Sequence, residues 1–179
     1  MKKNTLPMFL LLVSGVFFMT ASSQLQAQNV QTAVDLETSV RNAVLKTPQY
    51  GVFDSISFRL DGNNVILQGQ VLLPITKAEI FRRVSQISGI GNVIDDIGVL
   101  PLSRRDDALR LQVYRRIFNT ADLYRYAFSP NPSIHIIVRD GRVMLDGLVS
   151  NEGDSQFAAM AARKVSGVFS VTNNLEIQK

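Results

Sequence analysis

Val143-Met144-Leu145-Asp146-Gly147-Leu148-Val149 decides the fold, because the chain contains it twice. The twin, Val65-Ile66-Leu67-Gln68-Gly69-Gln70-Val71, lies 78 residues earlier. Twenty residues past each glycine comes a second signature, Ser88-Gly89-Ile90-Gly91-Asn92-Val93 and Ser166-Gly167-Val168-Phe169-Ser170-Val171, at the same spacing. Ile56, Phe58 and Leu60 map onto Ile134, Ile136 and Val138 with no gap. A spacing held over some forty positions marks a duplicated unit, so the chain divides into two modules of one design.

The local patterns give that design. Asp35 can cap a helix whose apolar face is Leu36, Val40, Ala43 and Val44, and Thr47-Pro48 ends it. Ile56 to Leu60 alternates like a half-buried strand, Asp61-Gly62-Asn63-Asn64 turns, and Val65 to Val71 returns as a hairpin partner. Gly69 in mid-strand sacrifices stability, so a helix or another backbone must come close there. Pro74 suits a first helical turn, with Thr76 and Glu79 at capping-box spacing; Ile80, Val84 and Ile87 form the stripe, and Gly89 is the stop. Val93, Ile97 and Val99 belong to a third strand, reached by a crossover long enough for parallel pairing. Pro101 to Ser103 is a linker, and the order then repeats. A helix starts at Ser103 and Asp106, the hairpin turns on Asp140-Gly141, Asn151 and Asp154 cap an alanine-rich helix able to lie close over Gly147, Gly167 stops it, and Val171 to Ile177 is the last strand. The expected class is α+β: two tandem αββαβ modules, each a three-stranded mixed sheet with two helices on one face. Their bounds are 35–100 and 104–179, joined by 101–103 and preceded by a segment 28–34.

The 179 residues are 46% hydrophobic and 19% charged, an ordinary globular balance. There is no cysteine, which excludes disulfides, thiolate metal sites and a lipidated N-terminal cysteine. Lys2 and Lys3, an apolar run from Phe9 to Met19 and a small, polar stretch to Gln28 read as a signal peptide, residues 1–27, cut after Ala27. The apolar run falls short of the ~20 residues a spanning helix needs. Taking Lys2 and Lys3 from the 19 basic residues leaves 17 against 15 acidic, net +2, too balanced to point to nucleic acid. The address is periplasmic or secreted.

Candidate chemistry is sparse. His135 is the lone histidine and sits on the strand face opposite Ile134 and Ile136. Asp95-Asp96 and Asn173-Asn174 occupy equivalent strand positions and suit local hydrogen bonds better than a metal or an acid–base pair. No phosphate-cradling loop or nucleophile elbow is present. The expectation is a non-enzyme with no metal and no cofactor. The helix from Leu109 to Phe118 is apolar over a wide arc, with Leu109, Val113 and Ile117 on one stripe, Leu111, Tyr114 and Phe118 on another and Arg110 between them. It packs on two surfaces or offers a docking face. Arg110, Arg115, Arg116, Tyr124, Arg125, Tyr126 and Phe128 form the densest aromatic and basic region. Rings beside guanidinium groups suit an anionic headgroup interface.

The repeated pattern of apolar strand, Gly turn, V-x-L-x-G-x-V, apolar helix, S-G-[IV]-x-x-V and a strand opening on Asp-Asp or Asn-Asn resembles the BON domain. The match is closest over Asp140 to Gly147 and Gly167 to Asn174; the first module departs from it at Asn63-Asn64. The resemblance implies a periplasmic αββαβ module without catalytic residues, tied to envelope maintenance and stress response. In some members it also implies binding to anionic phospholipid. Gly69, Gly89, Gly141, Gly147 and Gly167 are then architectural. The expected partner is anionic phospholipid or another envelope component; the alternative is a protein-interaction or scaffolding module without lipid affinity. Well-known members are lipoproteins, and the missing cysteine sets this chain apart.

Overall fold

The computed structural model describes residues 21–128 and 132–178. The chain divides into two units, residues 1–35 and 36–179. In the first, residues 21–35 are helical and form the start of α1 (Ala21–Leu45). The expected signal peptide lies outside the described residues as far as residue 20, and Ala27 falls within α1. Asp35 is therefore interior to a helix and caps nothing at its start. Residues 21–34 contain neither glycine nor proline, so the helical run meets no breaker on that side.

The second unit holds both modules. The first comprises the rest of α1, β1 (Ser55–Asp61), β2 (Asn64–Val71), α2 (Pro74–Ser85) and β3 (Val93–Val99). The second comprises α3 (Arg104–Phe118), a 3-10 helix (Ala121–Ala127), β4 (Ile134–Arg139), β5 (Arg142–Val149), α4 (Glu152–Arg163) and β6 (Ser170–Ile177). Each sheet has three strands in sequence order, the first pair antiparallel and the second parallel. The α+β duplication is present as expected. Each core lies between the inward strand face and the helices. Val40, Val44, Val65, Leu67, Val71, Ile80 and Val84 fill the first; Leu109, Val113, Ile117, Ile134, Ile136, Val143, Leu145, Ala158 and Ala162 fill the second.

The strands keep the 78-residue spacing, but the leading helices do not. Leu36, Val40, Val44 and Thr47 stand 73 residues before Leu109, Val113, Ile117 and Thr120. Thr47 and Thr120 make the same bond, each hydroxyl donating to the carbonyl four residues back, Ala43 and Arg116. The second module therefore holds five extra residues between its first helix and first strand. The 3-10 helix occupies that enlarged connection.

Three local expectations are corrected. α2 begins at Pro74 behind an extended Leu73, as a residue before proline prefers, and has no side-chain cap. Thr76 lies inside the helix, fully buried, and Glu79 pairs with Arg82 and Arg83. Gly89 and Gly167 do not end their helices, which stop at Ser85 and Arg163. They lie in the turns that follow, facing Leu36 and Leu109 of the leading helices. The close approach expected at Gly69 and Gly147 is made by another backbone, that of Ser55 and of Ser133, the second of the two expected partners. Both adopt positive φ, 129° and 120°, and a Cβ there would lie 2.1 Å from the Ser55 carbonyl oxygen and 2.0 Å from that of Ser133. The first hairpin is also as tight as the second: Asp61 pairs with Asn64 as Arg139 pairs with Arg142.

Loop 50–54 of the first module seats on the second. The Ile136 amide donates to the Val52 carbonyl at 2.7 Å, on the edge of β4 left open by β5. Val52 and Phe53 pack against the second core, and the Phe53 ring meets Tyr114 of α3 edge-on at 6.2 Å. Thus Tyr114, of the second apolar stripe of α3, meets the first module.

Gly69→Ala and Gly147→Ala should each cost about 2 to 3 kcal/mol, because the new Cβ strikes a carbonyl at a φ that L-residues avoid. Urea denaturation checks this. Wild-type stability for both variants would contradict the strand geometry.

Candidate lipid-contact groove

The site forms where α3 and α4 lie side by side. They run antiparallel. Arg105, at the start of α3, reaches the Gly167 carbonyl just beyond α4, and Arg125, after α3, pairs with Asp154 in the first turn of α4. Leu109, Val113 and Ile117 face the sheet along one side of α3, and Ala158, Ala161 and Ala162 do so along α4. Alanine lets α4 sit low, so the longer side chains on its outer face become the walls of a groove.

Two adjoining hollows make up this groove. One, of about 490 Å³, is lined by Gln112, Arg115, Arg116, Asn119, Thr120, Lys164, Val165 and Ser166. The other, of about 340 Å³, shares Arg116, Thr120 and Lys164 and adds Phe157, Met160 and Ala161. Three cations border the space and no carboxylate does. Among the described residues, none of Arg115, Arg116 and Lys164 makes an ion pair. Phe157 and Met160 are 45% and 43% exposed, so an apolar rim adjoins the charges. Sequence reading picked out Arg115 and Arg116 and missed Lys164, Phe157 and Met160, which lie some forty residues further on. The exposed positions of an otherwise alanine-rich helix were the available signal.

The other residues expected at this surface have different places. Arg110 is buried: one Nη donates to the Val138 carbonyl at 2.7 Å and the other pairs with Asp107. Its fork ties α3 to the end of β4 and faces no solvent. Asp106, also buried, accepts from the Asp140 and Gly141 amides at 2.8 and 3.0 Å and so holds the second hairpin. Tyr126 is buried too; its hydroxyl donates to Asp154 at 2.6 Å and accepts from the Ser150 amide at 2.8 Å. In the first module the equivalent amide, Leu72, donates to the Asp54 carboxylate at 2.6 Å. Tyr126 therefore does in the enlarged connection what Asp54 does in the shorter one. The Arg125 guanidinium is engaged by Asp154 and lies over the Tyr126 ring, 5.0 Å from its centre. Tyr124 and Phe128 are exposed and meet edge-on at 5.8 Å. On α3, Leu109, Val113, Ile117 and Phe118 are buried and Tyr114 contacts Phe53, leaving Leu111 exposed. The helix thus has no broad apolar face left for docking.

The polar pairs on the strands serve local bonds. Asp95 accepts from the Ile97 amide at 3.0 Å and faces Lys77 at 3.5 Å. Asn173 donates to the Ser155 hydroxyl at 2.9 Å. Among the described residues no cluster of three or more His, Asp or Glu is arranged to hold a metal, and no helix is long and apolar enough to cross a membrane.

The BON domain family model matches residues 105–179, which span the second module. The first module, outside that match, repeats its strand order and register. No curated protein matches the chain. Two solved structures of CdsD, a structural protein of the type III secretion system of Chlamydia trachomatis, are similar to it. One, its C-terminal domain, is 14% identical, covers 82% of this chain and 98% of that one, and has a TM-score of 0.29. The other is 13% identical, covers 80% and 92%, and also has a TM-score of 0.29. Likeness at this level carries no argument about function.

Tyr126→Phe should lower stability by about 1 to 3 kcal/mol, because the Ser150 amide loses its acceptor. It should leave the groove unchanged. Thermal or urea unfolding measures the loss, and an unaltered midpoint would contradict the structural role of this hydroxyl.

Proposed function

We propose that the protein is a non-catalytic envelope module that binds anionic phospholipid surfaces through the α3–α4 groove of its second module and thereby supports envelope integrity. The observation that carries this is the composition of the groove: Arg115, Arg116 and Lys164 without a bordering carboxylate, next to exposed Phe157 and Met160. Cations at this spacing meet phosphate, while rings and thioethers enter the apolar boundary beneath it. The exposed Tyr124 and Phe128 extend the same chemistry from the 3-10 helix. The resemblance to BON modules that bind anionic lipid and the signal-peptide pattern support the lipid class and the compartment.

The first module supports the assignment by contrast. At its equivalent positions stand Asn42, Ala43 and Gln86 for the three cations, and Glu79 and Arg82 for Phe157 and Met160. Glu79 is paired with Arg82 and Arg83, which pull its carboxyl down to about 2. That face is a solvated ion-pair surface at the positions where the second module carries Phe157 and Met160. Duplication kept the scaffold and left the groove chemistry in one copy.

The test is cosedimentation of residues 28–179 with anionic or neutral vesicles at low and high salt. Binding to anionic vesicles alone, lost as salt screens charge, is expected. Each cation near such a surface contributes about 1 kcal/mol, so the triple reversal Arg115→Glu, Arg116→Glu and Lys164→Glu should weaken binding by at least ~100-fold. The reversal Arg82→Glu should leave it unchanged. Equal binding by the triple variant, with its fold intact by circular dichroism, would overturn the assignment.

A further inference from the structure

A second cationic surface lies beyond the groove, where the β4–β5 hairpin turns. Arg139 and Arg142 stand directly opposite each other across the hairpin, and both are exposed. Like charges so placed repel and cost stability. Asp140 pairs with Arg139 at 3.8 Å, but among the described residues neither Arg142 nor Arg105 forms an ion pair. The Arg142 guanidinium lies instead over the Phe169 ring, 5.5 Å from its centre. The Phe169 amide donates to the Gly141 carbonyl at 2.7 Å, so the backbone beneath the ring is tied to the turn. The ring itself is 77% exposed. Arg105 reaches the same place from α3: a Cβ at Gly141 would lie 3.7 Å from its Nη2 and 3.8 Å from the Phe169 Cβ. Resting on the groove reading above, we propose that this hairpin end is a second contact with the same anionic lipid surface. Phe169 enters its apolar boundary, Arg105, Arg139 and Arg142 meet phosphate, and α3 lies lengthwise on the membrane.

The hairpin end and the groove form one surface. Arg105 precedes Arg116 by three helical turns, roughly 16 Å, and at about 100° per residue it points to the same side of α3 as Gln112 and Arg116, which line the groove. Ala108, Leu111, Gln112 and Arg115, exposed between them, bring no carboxylate. Asp107 borders this face and is taken by Arg110. On the α4 side, Ser166 lines the groove, and the carbonyl of the next residue, Gly167, accepts from Arg105 at 3.4 Å. The first module keeps the scaffold here without the chemistry. Its Gly91 amide donates to the Asn63 carbonyl at 2.8 Å, as Phe169 does to Gly141. Glycine replaces the ring, however, and the opposed pair is Asp61 and Asn64. A small soluble anion would relieve the arginine repulsion and leave Phe169 in water. A lipid surface answers both features, since its phosphates lie directly above an apolar layer.

The chain has no tryptophan, so Phe169→Trp in residues 28–179 provides a single fluorescent probe. With anionic vesicles whose acyl chains carry bromine, its emission should shift to the blue and be quenched. Phe81→Trp, at a part-exposed ring of the first module, should show neither change. The double reversal Arg105→Glu and Arg142→Glu, folded by circular dichroism, should weaken cosedimentation with anionic vesicles by at least about tenfold, the attraction of two cations to such a surface. Arg59→Glu, an exposed cation of the first module, should leave binding unchanged. An unquenched Phe169→Trp probe, or wild-type binding by the double variant while the triple groove reversal still loses it, would overturn the hairpin contact and leave the groove reading standing. Equal quenching of Phe81→Trp would overturn it as well. Loss of binding in the double variant, with none in the triple groove reversal, would keep the hairpin contact and remove the groove. No binding of the wild-type chain to anionic vesicles would overturn both.

Discussion

The Ser133 carbonyl occupies the space that any side chain at position 147 would need, and Ser55 stands in the same relation to Gly69. Each glycine lets the first strand of its module enter the sheet beside the second with its carbonyl turned inward; in the second module the Leu148 amide donates to the Ser133 carbonyl oxygen at 2.8 Å. That entry sets the hairpin register, which decides that Ile134, Ile136 and Val138 face the helices while His135 faces away. The helix packing follows from the register, and the groove from the helix packing.

Equal scaffolds have been put to unequal use. The five extra residues of the second module hold Tyr126, whose hydroxyl replaces the Asp54 carboxylate as acceptor for the end of the second strand. They also bring Arg125 onto Asp154 and so fix the 3-10 helix to α4. The short connection of the first module is used differently: it becomes the loop that closes the open edge of β4. One connection thus braces the groove-bearing module from within, and the other braces it from outside.

Periodicity exposed the duplication, the strand order and nearly all of the core, since a repeat reports burial twice. It could not place Arg110. Charge and helical position are visible in sequence, but whether a guanidinium reaches water or a buried carbonyl depends on where β4 lies, here with the Val138 carbonyl within reach. Arg125 and Tyr126 were misleading for a similar reason, as Asp154, their partner, is 29 and 28 residues away in sequence. Lys164, Phe157 and Met160 join Arg115 and Arg116 only once α3 and α4 are antiparallel. The start of α2 was misread because Thr76 and Glu79 have capping spacing, yet Pro74 had already set the first turn.

The central claim, that one groove of one module meets an anionic surface, is tested most directly by a local probe. The chain has no cysteine, so a single one can carry an environment-sensitive fluorophore without other changes. It would be placed by Met160→Cys on α4 or by Arg82→Cys at the equivalent position of α2. Added anionic vesicles should shift the emission of the first probe to the blue and leave the second unchanged. Equal shifts at both positions, or a shift confined to Arg82→Cys, would contradict the account.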